Sequence, residues 1–162
     1  MAAWQHDYYL LPQSKLIEHY GTVSDLEPLP AGDLNAVDWW ANVPFPDKTE
    51  IEKILPAATS WSPSIDMWGS NSDNSFQVGY DEERKCVSYV TMRFDLRNES
   101  PQLREFVQKV VEFVARNEWV FFSQETGLIL KPDYQVVATD LKLSTAQTFV
   151  TDPISKSVDD LH

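Results

Sequence analysis

The sequence predicts an α+β fold in which an antiparallel sheet of about four to six strands carries helices mainly on one face. Apolar and polar residues alternate without interruption over residues 89–97, YVTMRFDLR, which indicates a half-buried strand. Over residues 101–117, apolar residues recur at helical spacing. The two kinds of pattern also follow one another as strand, helices, hairpin, helix, hairpin and helices. Because hairpins join neighbouring strands, this order favours antiparallel pairing.

The first half of the chain contains one strand pattern and two helical patterns. Residues 6–11, HDYYLL, are aromatic or apolar and predict the first strand. After a proline-containing loop, residues 33–41, DLNAVDWWA, predict a helix because Leu34, Val37 and Trp40 share one face. A short helix is predicted after Asp47, which precedes Glu50 by three residues as in a capping box.

A hairpin is predicted in the middle of the chain. Residues 64–70 and 74–80 have strand patterns, and the charged loop 81–85, DEERK, leads back into the long strand. The expected register places Tyr80 opposite Cys86, Val78 opposite Ser88 and Phe76 opposite Val90. This register puts the apolar residues of both strands on one face and Cys86 on the core side.

A long helix, a second hairpin and two further helices are predicted in the second half. Ser100 and Pro101 form a helix start, and the helix to about Asn117 is expected to bury Phe106, Val110 and Val114. Strands at 119–122 and 127–130 surround the turn SQETG and are apolar on both faces, which favours a central position in the sheet. Further helices are expected to begin at Pro132–Asp133 and after Ser144.

Length and charge restrict the classes of function. The 162 residues suit one domain, expected over residues 1–150, with a polar tail over 151–162. The formal net charge of -12 argues against binding to nucleic acid or to an anionic membrane surface. Such a charge suits a basic protein partner, since complementary charge steers encounter, although acidity also simply promotes solubility. The single cysteine, together with the lack of a signal peptide or a membrane-span pattern, favours the cytoplasm.

No catalytic set, metal site or cofactor site is expected from the motifs. The glycines do not form a phosphate-binding loop, and one cysteine cannot build a zinc site with four cysteine or histidine ligands of regular spacing. A calcium loop beginning at Asn71 would need glycine where Phe76 stands. Neighbouring residues of a strand point to opposite faces, so His6 and Asp7 are not expected to form a dyad.

The candidate binding residues are polar and aromatic side chains on one face of the hairpin. They are Gln77, Tyr89, Arg93, Asp95 and Arg97, with Trp39 as an additional exposed contact residue. Tyr, Trp and Arg are enriched at binding hot spots, so this face is a candidate reading surface for a partner. The alternative is a solvated face with cross-strand charge pairs, each worth about 0.2–1 kcal/mol. A second alternative is a ligand pocket or an enzyme site lined by Trp40, Trp61 and Trp68.

Several stretches resemble the small, acidic, single-domain immunity proteins that bacteria encode beside polymorphic toxins. They are HDYYLLPQS near the start, DMWGSNSDNSFQV, VTMRFDLR with a helix after it, and GLILKP followed by STAQTFVTDP. The resemblance implies a cytoplasmic inhibitor that occludes a basic toxin domain, and it transfers no functional residue. The expected function is therefore protein–protein binding, with small-ligand binding or an enzyme as the alternative.

Overall fold

The structure is a computed structural model, and it describes residues 2–23, 28–30, 32–97 and 101–151. The expected cap at Ser100 lies outside the described residues, and so does the expected tail over 151–162 apart from Thr151. The strands are β1 (Gln5–Pro12), β2 (Ala57–Ala58), β3 (Ile65–Gly69), β4 (Ser75–Tyr80), β5 (Val87–Asp95), β6 (Trp119–Ser123) and β7 (Ile129–Leu130). The helices are α1 (Gln13–Tyr20), α2 (Asp33–Ala36), α3 (Lys48–Glu52), α4 (Pro101–Arg116), α5 (Tyr134–Leu143) and α6 (Thr145–Thr151).

The α+β class is confirmed, but the sheet is larger than expected. Over the described residues it has seven strands in the order β2-β3-β4-β5-β1-β6-β7, and each neighbouring pair is antiparallel. The strand that the sequence did not predict is β2, which has two residues and therefore no readable alternation. The central placement of the second hairpin is wrong, because β6 lies next to β1 and β7 forms an edge.

The register between β4 and β5 differs from the prediction by two residues. Val78 lies opposite Val90 and Phe76 opposite Met92. A slip of two residues keeps the same side chains on each face, so the expected burial of Met92, Phe94 and Leu96 is confirmed. Cys86, however, is exposed in the turn rather than packed on the core, since a bulge at Gly79 and Tyr80 makes β5 begin at Val87.

The helix α4 packs its apolar stripe on the sheet as its spacing predicts. Val110 and Val114 are buried, whereas Phe106 is only half-buried and stacks edge-on against Phe94. The fully buried aromatic residue of this helix is Phe113, whose ring contacts Phe76 of β4 and Trp119 of β6 edge-on at centroid distances of 6.1 Å and 5.5 Å. The residue that anchors the helix is therefore Phe113 rather than Phe106.

Two helices between β1 and α3 differ from the prediction. The helix α2 is shorter than expected, and α1 is an additional helix. The helix expected over 33–41 ends at Ala36, because Val37 already has extended backbone. The helix α1 follows β1 directly and was not predicted, since its charged sequence QSKLIEHY buries one residue, Leu16. Asp47 caps α3 as expected by accepting a hydrogen bond from the backbone N–H of Thr49 at 3.0 Å.

Candidate functional site

One face of the sheet carries polar and aromatic side chains in rows that run across β4, β5 and β1. One row consists of Gln77, Thr91 and Tyr9, which lie directly opposite one another in the register. Two residues further along β5 from Thr91, Arg93 lies opposite Asp7 and forms a second row. Tyr89 lies two residues before Thr91 on the same strand. These six side chains are half-exposed, and they are called the strand face below.

The two charges of the strand face neutralise each other across β1 and β5. The Nε and Nη2 atoms of Arg93 donate to the two carboxylate oxygens of Asp7 at 2.8 Å and 3.0 Å. The remaining Nη1 atom donates to the backbone carbonyl oxygen of Asn71 at 3.3 Å. The guanidinium group of Arg93 thus ties the two central strands to the loop between β3 and β4.

A second arginine pair lies at the end of the same strand. The Nε and backbone N–H groups of Arg97 donate to Asp95, and its Nη2 group donates to Asp95 and to Asp73 at 2.5 Å and 2.8 Å. Its guanidinium group lies 4.7 Å from the ring centroid of Trp4. Arg97 is exposed as expected, but the expected exposure of Asp95 is wrong, since only 8% of Asp95 is accessible. The carboxylate is buried because these donors replace its water.

The loop 71–74 receives further hydrogen bonds from the same region. Gln5 donates to the backbone carbonyl oxygens of Asn71 and Asp73, and Gln77 donates to the side-chain oxygen of Asn71 at 2.9 Å. The side-chain oxygen of Asn74 accepts from the backbone N–H of Asp95 at 2.8 Å. Gln77, Arg93, Asp95 and Arg97 therefore all form hydrogen bonds with the loop 71–74.

Because it is paired with Asp7, Arg93 is expected to contribute to the stability of the fold. A solvated arginine would change stability by less than about 0.5 kcal/mol when truncated. Arg93→Ala is instead expected to lower the free energy of unfolding by about 1–2 kcal/mol, because it removes a two-point pair that is partly shielded from water. Urea denaturation of Arg93→Ala and Arg93→Lys measures this, and lysine should restore only part of the loss because it cannot donate in a fork. A loss below 0.5 kcal/mol for Arg93→Ala would show that the pair is solvated.

Tyr89 lies across the backbone of Gly79, its neighbour in the register. A Cβ atom at Gly79 would come within 2.1 Å of the Tyr89 ring, so glycine at this position allows the ring to rest on the strand. Burial, and then the nearby Tyr9, raise the pKa of Tyr89 above its ordinary value. The hydroxyl group of Tyr89 is therefore neutral at physiological pH.

Trp39 and Tyr89 meet at a pocket where β1 and β5 separate. The pairing of these strands ends at Tyr9 and Thr91, and a cavity of about 190 Å³ opens beyond it. Its lining includes Tyr9, Leu34, Asn35, Val37, Trp39, Ser88 and Tyr89. Trp39 is only 3% accessible, so its expected exposure is wrong: its indole N–H donates to the carbonyl oxygen of Leu34 and its ring packs near Tyr20.

The three other tryptophans named as a possible pocket do not line one site. Trp40 is buried against Trp119 with 4.9 Å between ring centroids, and Trp68 is buried against Phe76. Trp61 is 69% accessible. Two of the three residues therefore fill the core, and the third lies on the surface.

A cluster that the sequence does not reveal joins β1 to α5 around the buried side chains of His6 and Tyr8. The Nδ1 atom of His6 lies 3.3 Å from a carboxylate oxygen of Glu125. The Nε2 atom on the other side of the ring lies 3.5 Å from a carboxylate oxygen of Asp140. The hydroxyl group of Tyr8 donates to Asp140 at 2.5 Å. Glu125 also accepts from the backbone N–H of Thr145 at the start of α6. Glu125 and Asp140 are far in sequence from His6 and Tyr8, so no local motif could have indicated the cluster.

The cluster predicts a loss of stability in acid. Burial tends to raise the pKa of Asp140, but contacts with His6 and Tyr8 outweigh it and hold that pKa below its ordinary value. A carboxyl group with a lowered folded pKa stabilises the protein above its unfolded pKa, near 4, and loses this contribution as the pH falls further. Asp140→Asn should therefore flatten the decline in melting temperature below about pH 4. An unchanged acid slope in calorimetry of Asp140→Asn would contradict this assignment.

The described residues contain no group of three His, Cys, Asp or Glu side chains placed to hold a metal ion. Among the described helices, none is long and apolar enough to cross a membrane.

No family model, curated protein or solved structure matches the chain.

Proposed function

We propose that this chain is a protein-binding module that acts in the cytoplasm as an immunity-type inhibitor, occluding the active site of a basic partner such as a toxin domain. The observation that carries the proposal is the strand face, which presents Tyr9, Gln77, Thr91 and Tyr89 as one half-exposed patch on three central strands. Tyrosine supplies a large contact area with few rotatable bonds, which suits a binding surface.

The packing of the helices and the charge of the chain support the same function. Phe106 and Phe113 of α4 pack against Phe94 and Phe76, which point away from the strand face. We propose that helices cover mainly that other face and leave the strand face open to a partner. With 25 acidic and 13 basic residues, the chain attracts a basic protein and repels an acidic one.

In this proposal, the arginine pairs brace the binding surface and the tyrosines contact the partner. The guanidinium groups of Arg93 and Arg97 already donate to Asp7, Asp95 and Asp73. A contact that replaced these pairs would leave carboxylates without donors, at a cost in free energy. Gln77 and Tyr89 therefore remain candidate contact residues, whereas Trp39 is buried and Arg93, Asp95 and Arg97 hold the strands and the loop 71–74 in place.

Co-expression with a toxic basic protein encoded beside this chain tests the proposal. Growth should be restored, and the two proteins should elute together from a sizing column. Thr91→Lys should abolish both effects, because it places a positive charge at the centre of the strand face. Gln108→Lys makes the same charge change at an exposed position of α4 and should leave protection intact. Equal protection by both variants, or no protection by the unmodified chain, would refute the proposal.

A second candidate function is small-ligand binding in a groove of about 450 Å³. Ile17, Phe45 and Arg116 are among the residues that line it, and the volume lies within the range of about 300–1,000 Å³ that small-molecule sites occupy. Ile17 is 52% accessible although it is apolar. A fragment screen by NMR, with Ile17→Ser as the comparison, distinguishes this candidate: saturable shifts that Ile17→Ser removes would favour it.

A further inference from the structure

The pocket between β1 and β5 has polar side chains that lack hydrogen-bond partners among the described residues. The side chains of Tyr9, Asn35, Ser88 and Tyr89 all line it, and none of them makes a hydrogen bond to another described residue. Elsewhere on the same sheet, Asp7, Gln77 and Arg93 are hydrogen-bonded within the chain. The concentration of hydroxyl and amide groups without such bonds in one cavity distinguishes it from the paired side chains of Asp7, Gln77 and Arg93.

The size and the wall of the pocket indicate what it can accommodate. A volume of about 190 Å³ is below the range of about 300–1,000 Å³ for sites that enclose whole small molecules. It is suited to one long side chain that projects from a larger partner. Leu34, Val37 and Trp39 supply apolar surface for the stem of such a side chain.

The chemistry of the lining favours a cation that donates several hydrogen bonds. Three hydroxyl oxygens and one amide oxygen can all accept, and a guanidinium group offers five N–H donors and no acceptor. The rings of Tyr9 and Tyr89 present π-systems that attract a cation. The lining residues include no Lys or Arg to hold an anion, and the net charge of -12 disfavours one.

We propose that this pocket receives an arginine side chain of the basic partner. The inference rests on the function proposed above, because it identifies the partner group that the strand face recognises. The guanidinium group would lie among the hydroxyl groups of Tyr9, Tyr89 and Ser88, with its stem along the apolar wall. Since Tyr9 and Tyr89 belong to both the pocket and the strand face, one arginine at the centre of an interface could enter the pocket while its neighbours cover the face.

Titration of the ¹⁵N-labelled chain with N-acetyl-arginine amide tests the pocket without any protein partner. The indole N–H of Trp39 and the backbone N–H groups of 88–90 are the reporters. N-acetyl-citrulline amide is the matched ligand, because it has nearly the same shape without the charge. The arginine compound should produce saturable shifts at these reporters, and citrulline should bind at least about ten-fold more weakly.

Variants of the pocket complete the test. Tyr9→Phe and Tyr89→Phe keep the rings and remove one acceptor each, so each should weaken the arginine compound by about ten-fold. Tyr134→Phe, outside this pocket, is the matched control and should have no effect. If a tyrosine variant does not fold, Asn35→Ala at an exposed position provides the same comparison.

The outcomes separate this inference from the proposed function. Equal binding of arginine and citrulline, or shifts that the tyrosine variants leave unchanged, would overturn the arginine pocket even if a partner protein binds. Selective weak binding of arginine supports the pocket, and it does so even if co-expression shows no protection.

Discussion

Replacing Phe113 with alanine is expected to lower the free energy of unfolding by about 3–5 kcal/mol. Phe113 is 1% accessible and touches aromatic rings on two strands, Phe76 of β4 and Trp119 of β6. The change leaves a cavity between α4 and the sheet, which the rigid neighbouring rings cannot fill. Urea denaturation followed by circular dichroism measures the loss.

Phe106→Ala is the matched control for this prediction, since it removes the same side chain from the same helix. Phe106 is half-buried and packs at the margin of the core near Phe94, so its loss should be smaller than that of Phe113→Ala. Equal losses for the two variants, or a loss under 1 kcal/mol for Phe113→Ala, would mean that the contact between α4 and the sheet has been assigned wrongly.

The second prediction concerns the packing of Tyr89 on Gly79. Gly79→Ala should lower the free energy of unfolding by about 1–3 kcal/mol, because the new methyl group would overlap the Tyr89 ring. In a Tyr89→Ala background the same change should be neutral or should stabilise by up to about 0.5–1 kcal/mol, since alanine restricts the unfolded chain more than glycine does. The double-mutant cycle therefore predicts strong coupling between the two positions.

Partner binding provides an independent measurement of the same contact. Because Gly79→Ala displaces the ring, it should weaken the partner nearly as much as Tyr89→Ala does, although residue 79 itself is buried. Additive stability losses in the cycle would show that the ring does not lie on Gly79, and undiminished binding by Gly79→Ala would show that the position of the ring is unimportant.

Regular alternation and helical spacing allowed most of the fold to be predicted. The pattern of residues 89–97 gave β5 and its buried face correctly, and the spacing after Pro101 gave α4. Short elements were missed, because two residues of β2 carry no period. The register was displaced by two residues because a bulge at Gly79 and Tyr80 cannot be read from alternation, which is unchanged by such a slip.

The candidate site was less predictable than the fold, because its side chains pair with residues that are distant in the sequence. Periodicity placed Arg93 on the strand face, but Asp7 lies 86 residues away and could not be assigned as its partner. Trp39 was expected on the surface because the helix was extended too far; the backbone turns at Val37 and carries the ring into the core. His6 and Asp140 gave no local signal at all, since strand β1 and helix α5 meet only in the folded chain.

The affinity of the purified complex with the basic partner tests the central claim most directly. Tyr89→Ala should raise the dissociation constant by about 30-fold or more, equivalent to about 2 kcal/mol, as for a residue at the centre of an interface. Leu143→Ala, which removes an exposed apolar side chain of α5, should leave the dissociation constant unchanged. A complex whose affinity is insensitive to Tyr89→Ala, in a variant that circular dichroism shows to be folded, would contradict the assignment of the strand face as the binding surface.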